Sequence, residues 1–296
     1  MTILLFLTGL ALLILGAELL VRGASRLSLS LGIAPLVVGL TVVSFGTSAP
    51  ELAISIKAAL DGQTDLALGN VVGSNIFNIL FILGLSALVA PLVVDRQLVR
   101  QEVPILVGLC LLVGWMALDH EISFGDGLVL VALMFAYTGL LYYIGRSSPA
   151  SEMDDAMVTG TDSPWLSRLW VQLLLMVIGL VMLVYGSRWL VQSATVFATM
   201  LGVSPLVIGL TIVSFGTSLP EVATSVIAAL RGEREIAVGN VLGSNIFNLV
   251  CVLGISSMVS GTGLTVPPSL LAFDLPVMIA VAVALLPVLF TGHLIA

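Results

Sequence analysis

Two glutamates end the same short motif inside very apolar stretches of the chain. SFGTSAPE (44–51) ends at Glu51, and SFGTSLPE (214–221) ends at Glu221. A carboxylate at membrane depth is costly and is by default functional. Neither repeat offers a basic residue beside its motif to neutralise the glutamate. The two glutamates are therefore the first candidates for binding a cation.

The residues before each glutamate predict a bent helix lined with oxygen atoms. Pro50 and Pro220 cannot donate to the carbonyl four residues earlier, so each predicts a kink that frees backbone carbonyls. The hydroxyl groups of the two motifs add further oxygens, and they belong to Thr47, Ser48, Thr217 and Ser218. A kink with hydroxyl and carboxylate oxygens is typical of a hard-cation site.

A second motif follows each glutamate, as GNVVGSNIFN (69–78) and GNVLGSNIFN (239–248). Positions four apart share one helix face. One stripe contains Asn70, Ser74 and Asn78, and the other contains Asn240, Ser244 and Asn248. Polar stripes are costly in lipid, so both are expected to face the protein interior. For Asn70 and Asn240, helix packing is an equally good interpretation.

The donor types indicate which ion such a site would hold. Calcium takes 6–8 oxygen ligands in flexible geometry, whereas magnesium dehydrates reluctantly and prefers a tight octahedron. Sodium is similar to calcium in size and accepts the same oxygens. The expected transported ions are Ca²⁺ and Na⁺, with no organic cofactor.

The composition is that of an integral membrane protein. Of the 296 residues, 59% are hydrophobic and only 9% are charged, against about 25% charged in soluble domains. Apolar segments long enough to span a bilayer run from end to end, which predicts an all-α membrane protein. About nine spans are expected, near 3–21, 33–59, 66–90, 103–118, 126–144, 168–191, 203–229, 236–258 and 272–290.

The chain contains an internal repeat. Residues 31–90 align without gaps on 201–260, and 36 of the 60 positions are identical. Because five helices separate the copies, the second copy is inverted in the membrane, which is typical of secondary transporters. The expected parts are a first repeat (1–145), a linker (146–167) and a second repeat (168–296).

The basic residues predict the orientation. With the N-terminus outside, eight of the ten Lys and Arg residues fall on the inner side, and only Lys57 and Arg188 fall outside. The positive-inside rule then places the 146–167 linker in the cytoplasm.

At these motifs the sequence resembles the cation/calcium exchanger superfamily, and most of all its prokaryotic sodium/calcium antiporters. The resemblance implies ten helices, as five plus five inverted, in a prokaryotic cell (inner) membrane, with the first and sixth helices sliding as a gate. It implies ion ligands at matching positions and backbone carbonyl ligands from Ser44 and Ser214. The ligand positions are Glu51, Glu221, Thr47, Ser48, Thr217, Ser218, Ser74, Asn78, Ser244 and Asn248.

Two features depart from the family pattern. Asn248 lies where several described exchangers have aspartate, and no tenth helix follows the ninth span, so we expect a missing chain end. With Glu51 and Glu221 as the only charges, two Na⁺ would balance one Ca²⁺. The resemblance implies three Na⁺, so the stoichiometry stays open.

Three other functions are alternatives for this sequence. An antiporter exchanging Ca²⁺ for H⁺ at the same site is the main alternative, because protonation of a glutamate could replace sodium. A cation channel and an intramembrane phosphatase are remote alternatives, and the phosphatase would need an arginine to hold phosphate. The chain is expected to be no enzyme and to bind no nucleic acid. Its expected partners are small inorganic cations and the lipid bilayer, and its oligomeric state stays open, with a monomer as one option.

Overall fold

The computed structural model describes residues 2–93, 98–147, 168–203, 212, 214–290 and 294–295. The helices of the first half are α1 (Thr2–Leu31), α2 (Pro35–Thr47), α3 (Ala49–Leu60), α4 (Thr64–Val89), α5 (Val103–Met116) and α6 (Phe124–Ser147). Those of the second half are α7 (Leu169–Met200), α8 (Ser214–Thr217), α9 (Leu219–Leu230), α10 (Arg234–Val259) and α11 (Leu275–Phe290). We call the membrane face where α6 ends and α7 begins the linker face.

Helices α1 and α7 lie antiparallel and in contact along most of their length. Small residues permit this approach, because a Cβ at Gly16 would lie 2.8 Å from the carbonyl oxygen of Gly179. Gly9 and Gly186 face each other in the same way one heptad away, at 3.0 Å. Since α1 and α7 begin the two repeats, their antiparallel packing reflects the predicted inversion.

The helix that carries each glutamate is broken immediately before it. Helices α2 and α3 meet at 45°, and Ser48 at the break has φ −79° and ψ 4°. Ser218 separates α8 from α9 with nearly the same dihedrals, −87° and 5°. Pro50 and Pro220 fall in the first turn of α3 and α9, where a missing N–H costs nothing. The predicted kinks are therefore present.

Helices α4 and α10 carry the asparagine motifs and form the centre of the molecule. All of the apolar window of α10 is buried, because α2, α4, α5, α6 and α9 surround it. Both helices change to π-helix at the last asparagine of the motif, over Asn78–Leu83 and Asn248–Leu253. The other π-helical segments are Gly39–Val43, Leu98–Glu102 and Leu270–Asp274, and a 3₁₀ turn covers Ala117–Asp119. The sequence reading did not predict these π-helices.

Two short antiparallel strand pairs join the halves at opposite membrane faces. At the linker face β1 (Leu92–Val93) pairs with β4 (Leu294–Ile295), and at the other face β2 (Glu121–Ile122) pairs with β3 (Leu264–Thr265). The first pair places the end of the chain at the linker face.

Two predicted spans were too short. The spans expected at 3–21 and 168–191 are helices of 30 and 32 residues. The helix continues past position 21 because its polar residues find hydrogen-bond partners within α1 or on a neighbouring segment. The Ser28 hydroxyl donates to the Ser25 carbonyl at 2.6 Å, and the Ser25 hydroxyl donates to Glu233 at 2.5 Å.

The described residues contain seven helices long and apolar enough to span a membrane, or eight if the bent pair α2–α3 counts as one. The predicted span 203–229 lies partly outside the described residues, and so does most of the predicted 146–167 linker.

The glycine contact between α1 and α7 yields a stability prediction. Gly16→Ala places a methyl group against the Gly179 carbonyl and should destabilise the protein by about 1–3 kcal/mol, the usual cost of overpacking. Gly139→Ala on exposed α6 is the control, because no described atom lies within 4 Å of its added Cβ. Thermal unfolding of the purified protein in detergent measures both. Equal unfolding temperatures for the two variants would contradict the prediction.

Candidate functional site

The two glutamates meet in the middle of the molecule. Glu51 and Glu221 each lie in the first turn of a helix, α3 and α9, and each is only 1% exposed. The N-terminal end of a helix carries partial positive charge from its free N–H groups, which favours a carboxylate there. No ion pair to either glutamate is present among the described residues.

Each glutamate accepts a hydrogen bond from the serine at the break of the other repeat. The Ser48 hydroxyl donates to Glu221 Oε1 and the Ser218 hydroxyl donates to Glu51 Oε1, both at 3.2 Å. These reciprocal contacts join the two breaks across the pseudo-two-fold axis. The second carboxylate oxygens, Glu51 Oε2 and Glu221 Oε2, are buried without a described hydrogen-bond partner.

Two asparagines add two more oxygens of the same kind. Asn78 and Asn248 are each 1% exposed and stand where α4 and α10 change to π-helix. Their Oδ1 atoms are also buried and have no described partner. Unpaired buried polar atoms are rare and need an explanation. Nine such side-chain atoms occur among the described residues, and four of them are these carboxylate and amide oxygens, from two pairs of repeat-related residues.

The other hydroxyl-bearing residues of the predicted ligand set are buried too, namely Thr47, Ser74, Thr217 and Ser244. The Thr47 hydroxyl lies 3.0 Å from Asn240 Oδ1 and 3.4 Å from the Ser244 hydroxyl. Ser74 and Thr217 are buried, at 6% and 7% exposure. These contacts bring residues of the first motif of one repeat beside the second motif of the other.

The resemblance also implied two backbone carbonyl ligands, from Ser44 and Ser214. The Ser44 carbonyl accepts the Ser48 N–H at 3.0 Å and the Thr47 hydroxyl at 3.3 Å. The Thr47 hydroxyl has a single hydrogen and lies closer to Asn240 Oδ1, at 3.0 Å, so the second lone pair of the Ser44 carbonyl can still accept an ion. Ser214 is the first residue of α8, directly ahead of Thr217 and Ser218.

Asn70 and Asn240 hold the glutamate helices in place. Asn70 Nδ2 donates to the Glu51 carbonyl at 3.2 Å and to the Ser55 hydroxyl at 2.9 Å. Asn240 Nδ2 makes the same contacts to the Glu221 carbonyl, at 3.4 Å, and to the Ser225 hydroxyl, at 2.9 Å. Their amides are thus used within the protein, which favours the packing interpretation for both.

Sequence reasoning missed four residues that structure this centre, namely Ser55, Ser225, Asn75 and Asn245. One signal for them was available, because both serines and both asparagines recur at the same offset in the two repeats.

The donors of this arrangement are carboxylate, amide and hydroxyl oxygens, which hard cations prefer. The described residues contain no cluster of three or more His, Cys, Asp or Glu side chains. Two carboxylates with amide and hydroxyl oxygens suit Ca²⁺ or Na⁺. In a water-poor place two carboxylates strongly favour a positive charge between them.

Comparisons with known proteins agree with this geometry. The model of the family described as sodium/calcium exchanger protein matches residues 1–143 and 171–296. The inner membrane protein YrbG of Escherichia coli is 39% identical over 259 residues, which cover 86% of this chain and 79% of YrbG. The sodium/calcium exchanger MaX1 of Methanosarcina acetivorans is 33% identical over 321 residues, which cover 98% and 91% of the two chains.

The fold is also that of a solved exchanger. A structure of the sodium-calcium exchanger NCX_Mj, soaked with 10 mM Na⁺ and 10 mM Sr²⁺, matches with a TM-score of 0.84 and 29% identity, over 100% of this chain and 92% of the other. The family model covers nearly all of both halves, and the bent helices with their paired glutamates have the expected inverted arrangement. The chain belongs to the sodium/calcium exchanger family.

Proposed function

We propose that the chain, as a member of the exchanger family, exchanges Ca²⁺ for Na⁺ across the membrane by alternating access. The observation that carries the proposal is the set of four buried oxygens without partners, from Glu51, Glu221, Asn78 and Asn248. They come from four helices of two inverted repeats, so a cation bound there would touch both halves. The similarity to MaX1, which is described as a sodium/calcium exchanger, supports the choice of sodium.

The proposed ligand set is the one predicted from the sequence. Glu51 and Glu221 supply the charge, and the side chains of Asn78, Asn248 and the motif hydroxyls supply neutral oxygens. With two negative charges, the site is balanced by one Ca²⁺ or by two Na⁺. A third Na⁺ would leave one net positive charge at membrane depth, which costs about 3 kcal/mol on insertion scales. This favours two Na⁺ per Ca²⁺.

We place the linker face in the cytoplasm of a prokaryotic cell, with the N-terminus outside. Eight of the ten Lys and Arg residues support this orientation, and the similarity to YrbG, described as an inner membrane protein, supports the inner membrane.

The packing of α1 and α7 supports a state closed at the linker face. Both helices contact α9 of the second repeat, and neither makes comparable contact with α3, the equivalent helix of the first. At the linker face Arg231 Nε donates to Glu18 Oε2 at 2.8 Å. The α1–α7 pair would move onto α3 in the opposite state, closing the other face.

The inverted repeat predicts a second ion pair for that opposite state. The repeat equivalents of Glu18 and Arg231 are Arg188 and Asp61, with the charges exchanged. Here Asp61 pairs instead with Lys57 at 2.6 Å, and Arg188 is exposed. Movement of α7 toward α3 would bring Arg188 to Asp61.

The coupling ion is tested by transport. Vesicles containing the purified protein and loaded with Na⁺ should take up labelled Ca²⁺ faster than vesicles loaded with choline, with no pH gradient. The reversal potential at clamped membrane voltage then gives the number of Na⁺ per Ca²⁺. Uptake that follows an imposed pH gradient and ignores Na⁺ would establish the proton alternative instead.

The two glutamates should be indispensable. Glu51→Gln and Glu221→Gln each remove one of two charges while preserving shape, so Ca²⁺ would be under-neutralised in a low-dielectric place, at a cost of several kcal/mol. We expect Ca²⁺ binding, measured by calorimetry, to weaken at least ~100-fold and transport to stop. Glu121→Gln, at an exposed position of β2 away from the site, is the control. Near-normal Ca²⁺ flux in either site variant would refute the assignment.

The exchange of ion pairs is tested by cross-linking. In a protein carrying Asp61→Cys and Arg188→Cys, Arg231→Gln should weaken the linker-face contact by up to about 1 kcal/mol. Disulfide formation between positions 61 and 188, read by peptide mass spectrometry, should become up to about fivefold faster. Arg22→Gln is the matched control, because Arg22 pairs with Glu18 within α1 and moves with it. Failure to cross-link in every background would exclude the proposed opposite state.

A further inference from the structure

Four asparagines from the two GSNIFN segments form one buried hydrogen-bond network. Asn75, Asn78, Asn245 and Asn248 are each at most 1% exposed. Asn248 Nδ2 donates to Asn75 Oδ1 at 3.2 Å, and Asn78 Nδ2 donates to Asn245 Oδ1 at 3.3 Å. Each contact crosses from one repeat to the other.

These contacts decide which end of the ligand amides faces the ion site. The oxygen and nitrogen ends of an asparagine side chain have almost the same shape, so only the hydrogen-bond partners determine the orientation. A cation requires the oxygen. Because Asn248 uses its NH₂ group on Asn75, its oxygen is the atom left without a protein partner.

Asn75 is itself held in one orientation. Its Nδ2 donates to the Asn245 backbone carbonyl at 3.3 Å and lies 3.8 Å from the Sδ atom of Met278. With the nitrogen used in this way, the oxygen of Asn75 must face Asn248. The amide of Asn248 therefore has an acceptor in front of it and cannot turn over without losing that bond.

The equivalent residue of the second repeat lacks this support. Asn245 Nδ2 is buried without a described partner. The equivalent helices α5 and α11 begin at Val103 and Leu275, so the repeat equivalent of Met278 is Leu106, whose side chain has no hydrogen-bonding atom. The orientation of Asn248 is thus more strongly determined than that of Asn78, although the motifs are identical.

We propose that Asn75 is a positioning and specificity-determining residue of the ion site, which orients the Asn248 oxygen toward the cation and requires a hydrogen-bond donor at position 248. An ionised aspartate there would place a carboxylate oxygen against Asn75 Oδ1, with no hydrogen between two acceptors. Asn75 thereby keeps the site at two negative charges. The inference rests on the proposed cation site and adds a residue outside its ligand set.

The test measures Ca²⁺ affinity directly, by calorimetry on the purified full chain. Asn75→Leu replaces the acceptor with a methyl group in a side chain of the same branched shape and frees the Asn248 amide to turn. We expect Ca²⁺ binding to weaken about 10–100-fold, as is usual when a group that orients a metal ligand is lost. Asn75→Asp keeps an acceptor oxygen at this position. It should bind Ca²⁺ at least as well as the unsubstituted protein. Ser86→Ala, at another buried polar side chain of α4, is the control and should leave the affinity unchanged.

A double-mutant comparison separates orientation from general packing. If Asn75 acts through Asn248, then Asn75→Leu should have no further effect on Ca²⁺ affinity in a protein that already carries Asn248→Ala. If the loss in that background equals the loss in the parent, Asn75 has only a structural role and the inference is wrong. Equal losses for Asn75→Leu and Asn75→Asp would also overturn it.

Two further measurements keep the outcomes distinct. Size-exclusion profiles check that each variant is folded. If Asn75→Leu aggregates, Asn75→Ser replaces it, because serine is too short to reach Asn248. The same loss of Ca²⁺ affinity is expected for the Ser variant. If the parent protein binds no Ca²⁺ at all, the proposed function itself fails. If the parent binds Ca²⁺ and Asn75→Leu binds it equally well, only the role of Asn75 fails.

Discussion

Two carboxylates buried side by side at membrane depth, with no described basic partner, are the constraint on which the rest of this structure depends. Each negative charge in such a place would cost several kcal/mol without a counter-charge. Hydrogen bonds from Ser48 and Ser218 satisfy only one oxygen of each glutamate, at 3.2 Å. The remaining charge favours cation binding, and in the proposed function the transported ion would complete the site.

The duplicated, inverted chain explains how such a site is assembled. Each repeat contains a broken helix with its glutamate, and the two repeats have opposite orientations in the membrane. The hydroxyl of each break serves the glutamate of the other repeat, and the Thr47 hydroxyl reaches Asn240 and Ser244 across the axis. Because these contacts cross between the repeats, both halves of the chain take part in the site, as the proposed alternating access requires.

Departures from symmetry are as informative as the symmetry. The long helices α1 and α7 both pack on α9 and not on α3, so the two membrane faces differ although the two sequences are alike. At the centre, Asn75 Nδ2 lies 3.8 Å from the Sδ atom of Met278, whereas the Nδ2 atom of the equivalent Asn245 has no described partner. A duplicated motif therefore need not give two equivalent ligands, because the surrounding helices of the two halves have diverged.

The sequence by itself determined the membrane character, the inverted repeat, the kinks at Pro50 and Pro220 and the list of candidate ligands. These follow from local chemistry, since hydropathy, proline geometry and repeated motifs need no knowledge of neighbours. Only the tertiary structure decided which oxygens are left without partners, because that depends on contacts between residues about 170 positions apart, such as Asn75 with Asn245. The full length of α1 and the π-helical turns at Asn78 and Asn248 were decided there too. Their polar groups are satisfied by other helices, and periodicity along one segment carries no information about those partners.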